Sequence, residues 1–74
     1  MDYRIDLAWD EETCVWTATS EDVPGLVLES GSYDALIERV RFAIPELVEL
    51  NSSKMPFYNL TFASVRHDKV VANG

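Results

Sequence analysis

Seventy-four residues with thirteen acids against six Lys and Arg make a single small domain of net charge −7, with no room for a second domain. Such a field repels a phosphate backbone, and no basic-aromatic stripe offsets it, so direct nucleic-acid binding is not expected. One cysteine, Cys14, excludes an internal disulfide, and Cys14 with His67 falls short of a zinc ligand set. No run approaches the roughly 20 apolar residues of a membrane span. The charged start "MDYRIDLAWD" does not read as a signal peptide, and a lone thiol suits the cytoplasm. A chain this short buries only about 60% of its unfolded surface, so a second subunit is the supplement to expect.

The first strand is "YRIDLAW". Tyr3, Ile5, Leu7 and Trp9 alternate onto one face, with Arg4, Asp6 and Ala8 on the other. "DEET" is a turn, and "CVWTAT" is a second strand, antiparallel to the first, with an ambiguous inward face. Cys14, Trp16 and Ala18 lie on one side of it, and Val15, Thr17 and Thr19 on the other. Cys14, between Thr13 and Val15, reads as a small packed hydrophobe. In "DVPGL", Pro24 presets φ near −65° and Gly25 accepts the positive φ that a type II turn needs next. "LVLE" is the third strand.

After "SGS", Ser32 is placed to cap a helix, and Asp34 in its first turn suits the helix dipole. Tyr33, Leu36, Ile37, Val40, Ile44 and Leu47 recur at helical spacing on one face, opposite Asp34, Glu38, Glu46 and Glu49. Pro45 lies inside this run, removes an N–H and crowds the Arg41 carbonyl. It predicts a kink or break, with "PELVEL" as a short final turn. "NSSKMP" is the exit loop, "FYNLTFASV" the fourth strand and "RHDKVVANG" a fraying tail.

The order is β-β-β-α-β. Three antiparallel strands leave the first and third pointing the same way, and the helix returns the chain so that the fourth strand pairs parallel with the first. The expected fold is therefore α+β: a mixed four-stranded sheet of order 3-2-1-4 with one helix on one face. Residues 1–66 form the domain and 67–74 the tail. One helix covers one face only, and apolar residues occur on both, notably Trp16 or Val15, Val27 or Leu28, and Phe57 or Phe62. Phe42 falls on the polar side of the helix and is the candidate contact of a homo-oligomer, a dimer in the simplest case.

No chemistry stands out. Two-metal hydrolysis needs several convergent carboxylates. Asp6 points away from the helix, and Asp10, Glu11 and Glu12 are consecutive and cannot aim at one point. Ser20, Glu21 and Asp22 have no histidine nearby in sequence, His67 reads as an exposed tail residue, and no phosphate loop occurs. No catalytic residue, metal or cofactor is assigned. Glu21 and Asp22 have no structural task visible in the sequence. They and Asp10 to Glu12 lie at opposite ends of the second strand, as two separate acidic patches.

The stretches "WDEETCVWTATSEDVPGLVLE", "SYDALIERV" and "PELVELN" together resemble a family of small bacterial proteins allied to the HicB-type antitoxins. The shared pattern is the strand ending at Trp9-Asp10, the Val15-Trp16 strand, and the Asp22-x-Pro24-Gly25 turn. It continues with the helix capped at Ser32 and closed by Pro45-Glu46-Leu47. The match covers residues 3–51 well and the last strand loosely. The resemblance implies a partial ribonuclease-H-like fold, and a non-catalytic module that neutralises a small basic RNA-cleaving toxin. Many such proteins also carry a C-terminal DNA-binding segment; the nine residues after Val65 are too few for one. On this reading Glu21 and Asp22 meet the basic partner, and Trp16, if exposed, supplies apolar contact. The alternative is a stand-alone homo-oligomeric scaffold or binding protein without a toxin partner.

Overall fold

The computed structural model describes residues 2–50 and 58–72. Strands β1 (Asp2–Asp10), β2 (Val15–Thr19) and β3 (Val27–Ser30) precede helix α1 (Tyr33–Leu50) and strand β4 (Asn59–Val65). The four strands form one sheet in the order β3-β2-β1-β4. β1 pairs antiparallel with β2 and parallel with β4, and β2 pairs antiparallel with β3. The fold is the expected α+β arrangement, order 3-2-1-4.

Strand alternation sorts the side chains. Tyr3, Ile5 and Leu7 of β1 and Trp16 and Ala18 of β2 are buried beneath Leu36, Val40, Ile44 and Val48 of α1. These helix positions recur every four residues and make a single stripe. Val23 and Leu26, either side of the Pro24-Gly25 turn, complete the core. Burying each of the larger side chains contributes about 1.5–3 kcal/mol, so this one layer supplies most of what holds so small a domain.

The local signals behave as their chemistry requires. Gly25 has φ +90°, and the Leu26 N–H donates to the Val23 carbonyl at 3.2 Å, closing the turn over Pro24 and Gly25. The Ser32 hydroxyl accepts from the Ala35 N–H at 3.2 Å, and the Ser32 carbonyl accepts from Leu36. This is the N-cap, which satisfies a donor that the first helical turn would leave open. The phenol of Tyr33, the next residue, meets the Ser64 hydroxyl at 2.6 Å and so ties the helix start to the end of β4.

Three expectations are corrected. Helix α1 is not broken at Pro45 but continues to Leu50. Buried Val48 and half-buried Leu47 hold the last turns on the core, and tertiary packing outweighs the lost hydrogen bond to Arg41. Cys14 is exposed and lies outside β2, in a turn, with φ +56°. Its N–H donates to the Asp10 carbonyl at 2.8 Å, and the Asp10 carboxylate accepts from the Glu12 N–H at 2.9 Å. The four residues between Asp10 and Val15 thus close around Asp10, and the last of them takes the left-handed conformation that the reversal demands.

The third correction concerns the faces. Trp16, Leu28 and Phe62 all lie on the helix side, because their registered neighbours are Trp9, Ala18 and Ile5. The open face carries Arg4, Asp6 and Ala8 beside Val15, Thr17, Thr19, Val27, Glu29, Thr61, Ala63 and Val65, so valines alternate there with polar and small side chains. Among the described residues its larger apolar side chains are Val15, Val27 and Val65, so it is a weaker apolar face than composition suggested. Phe57 and the exit loop lie outside the described residues, and β4 runs over Asn59–Val65. No helix among the described residues is long and apolar enough to cross a membrane.

Candidate functional site

A concavity among the described residues lies at the edge of the open face. It is a shallow depression of about 300 Å³ lined by Arg4, Asp6, Glu21 and Asp22. Its position follows from where β2 stops. Thr19 is the last β2 residue paired with β1, opposite Asp6, so the backbone groups of Arg4 lose their ladder partners. Side chains from the loop replace them. The Ser20 hydroxyl donates to the Arg4 carbonyl at 2.6 Å, and the Arg4 N–H donates to Asp22 Oδ2 at 2.8 Å. The same hydroxyl accepts from the N–H groups of Asp22 and Val23, at 3.1 and 3.3 Å.

Asp22 therefore has a structural task that the sequence did not disclose: it completes the hydrogen bonding of β1. Glu21, one residue earlier, is exposed and makes no hydrogen bond or ion pair among those of the described residues. The Arg4 guanidinium turns to Asp6, with Nε–Oδ1 2.9 Å, and both side chains are substantially solvated. That pair is worth little to stability. The site thus presents three carboxylates around one guanidinium already engaged by one of them. A cationic side chain entering there meets the free carboxylate of Glu21 and the unbonded oxygen of Asp22.

Other candidates are placed elsewhere. Trp16 is 8% exposed, packs edge-on against Tyr33 with ring centroids 5.0 Å apart, and lies tilted against Trp9 at 5.4 Å. The condition for its apolar partner contact, exposure, is not met, because register with Trp9 turns it under the helix. The half-buried aromatic nearer the surface is Trp9, with the Arg66 guanidinium 4.4 Å above its ring. Phe42 is 73% exposed on the outer side of α1. Asp10 to Glu12 sit at the opposite end of β2 from Glu21 and Asp22, so the acidic residues form two separate groups. Among the described residues, no three His, Cys, Asp or Glu side chains are grouped to hold a metal ion. Ser20 is engaged as both donor and acceptor by backbone groups, with no histidine in its hydrogen bonding.

The arrangement defines a class: a small two-layer domain whose covered face holds the core and whose open face ends in an acidic, solvent-accessible rim. Residues 2–69 match a domain of unknown function, DUF1902, and the chain belongs to that family. It is also similar to the crystal structure of a hypothetical protein, TTHA1013, from the extreme thermophile Thermus thermophilus. The identity is 30% and the TM-score 0.78, over 95% of this chain and 100% of that one. No curated protein matches the sequence.

Proposed function

We propose that the chain is a non-catalytic protein-binding module of the HicB antitoxin kind, whose partner is a small basic RNA-cleaving protein that it neutralises in the cytoplasm. The observation that supports this reading is the acidic rim: Glu21 and Asp22 with Asp6, on a chain of net charge −7, beside a single engaged arginine. Complementary charge of this kind chiefly accelerates encounter, so association with the partner slows as salt is raised while release changes less. Asp22 is anchored to the β1 backbone, so it offers its second oxygen in a fixed place. Glu21 adapts to the incoming cation.

The test is association kinetics with the small basic protein encoded beside this chain in its native host. Glu21→Gln with Asp22→Asn should lower the association rate several-fold and leave the melting temperature nearly unchanged, since the amide oxygen of Asn still accepts from Arg4. Absence of any such basic neighbour, with no inhibition of ribonuclease activity by the purified chain, would overturn the reading. A second reading, a self-associating domain without a basic partner, is favoured by the large exposed ring of Phe42. Phe42→Ala should then weaken self-association while leaving the melt intact.

A further inference from the structure

The two edges of the sheet are treated differently. The β3 edge is four residues long, and its Glu29 carbonyl accepts a hydrogen bond from the Arg39 guanidinium at 2.9 Å. A short strand whose carbonyl is already taken by a charged side chain is a blunted edge. β4 is seven residues long, "NLTFASV", with no charge, proline or glycine among them. Among the described residues no strand pairs with its outer side. Among the described residues none of the usual devices guards it.

The cover above β4 is also incomplete. The helix backbone runs closest to β3 and β2, its side chains cover Tyr3, Ile5 and Leu7 of β1, and it hydrogen-bonds to β4 through the Tyr33–Ser64 contact at one end. Leu60 and Phe62, which face the helix side of β4, consequently remain half-buried. Apolar ground therefore continues up to an unguarded row of backbone donors and acceptors.

We propose that this edge pairs antiparallel with β4 of a second copy of this chain, centred on Phe62, so that the two sheets merge with both helices on one face. Charge selects the occupant. Two copies each at −7 repel, and a self-contact needs a segment that adds no like charges; β4 is uncharged throughout. A two-fold axis through Phe62 pairs all seven residues. Phe62 then meets Phe62, Leu60 meets Ser64, Thr61 meets Ala63 and Asn59 meets Val65. The two Phe62 rings and the flanking Leu60 side chains become the floor of a trough between the helices, which supplies the missing cover. This deepens the self-associating reading, placing its contact at β4 rather than at Phe42, and is independent of the basic-partner one.

The test uses the full chain and a charge swap. Thr61 and Ala63 lie on the open face and oppose each other across the proposed axis. Thr61→Lys with Ala63→Lys sets like charges face to face, as does Thr61→Glu with Ala63→Glu. By sedimentation at micromolar concentration the wild type should have twice the 8.4 kDa chain mass, and each doubly substituted chain the single-chain mass. An equimolar mixture of the two should regain the double mass. A wild type that stays monomeric sinks self-association altogether. A wild type that dimerises while both variants stay dimeric, or whose mixed variants fail to recombine, sinks the β4 edge alone. Should either variant fail to melt cooperatively, hydrogen exchange of the wild type against protein concentration decides. Protection that rises with concentration in residues 59–65 supports the edge, and protection that rises elsewhere overturns it.

Discussion

Alternate residues of β1 lead separate lives. Tyr3, Ile5 and Leu7 point under the helix and are buried, while Arg4 and Asp6, between them, line the acidic depression on the open face. Strand geometry lets one segment supply both the core and the acidic depression without mixing them, because a side chain on one face does not touch the other. The separation fails at one residue. Asp22 belongs to the acidic rim, yet its carboxylate holds the Arg4 N–H of β1, so the rim and the backbone order of the strand meet there.

Substitutions at four positions test that division. Ile5→Ala, at the centre of the covered face, should remove about 2–5 kcal/mol by emptying a fully buried site. In a domain this small that leaves the chain largely unfolded, which urea titration followed by tryptophan fluorescence would register. A loss below about 1 kcal/mol would mean the covered face is not the main source of stability.

Pro45→Ala should act in the opposite direction. It restores the helical N–H toward Arg41 and a favourable propensity, a gain of about 3 kcal/mol in an isolated helix, partly offset by a more flexible unfolded chain. A net rise of about 1–2 kcal/mol is expected, read as a higher thermal midpoint. A fall would show that the half-buried proline ring packs better than an alanine methyl.

Asp22→Ala should cost about 1 kcal/mol, the value of one hydrogen bond to a charged acceptor near the surface, and Asp22→Asn distinctly less. Equal losses would assign the effect to charge rather than to the acceptor, and would blur the line between the two faces at this residue. The smallest effect is expected at Cys14, at the far turn. Cys14→Gly removes a left-handed non-glycine residue and should stabilise by about 0.5 kcal/mol, with no change in partner association. A destabilised variant would indicate that the thiol contact to the Glu11 carbonyl at 3.6 Å matters more than the backbone conformation.

The candidate site was half legible. Glu21 and Asp22 stand out in the sequence as acids beside a Pro-Gly turn, and the depression does contain both. Arg4 and Asp6 could not be added from sequence, because they come from a distant strand and join the loop only where β2 ends. Ser20 carried a usable signal. A Ser-x-Asp pair at a strand end commonly turns its side chains onto nearby backbone groups, but which backbone it would reach depended on the register of β1 against β2.

What the chain alone determined was local or periodic. The two-residue alternation of Tyr3, Ile5 and Leu7, the four-residue recurrence of Leu36, Val40 and Ile44, the Pro24-Gly25 turn and the Ser32 cap each follow from the geometry of one segment. The strand order follows from the return path that a single helix permits between parallel strands. Tertiary structure decided the rest. β2 has β-forming residues on both sides, so only pairing with Trp9 could send Trp16 inward. Pro45 is a helix breaker by itself, and only the burial of Val48 beyond it keeps the helix whole. Asp22 looked idle until β2 ended one pair short and left the Arg4 N–H to be satisfied from eighteen residues away. In each case the deciding energy comes from groups distant in sequence, where segment preferences are too weak to choose.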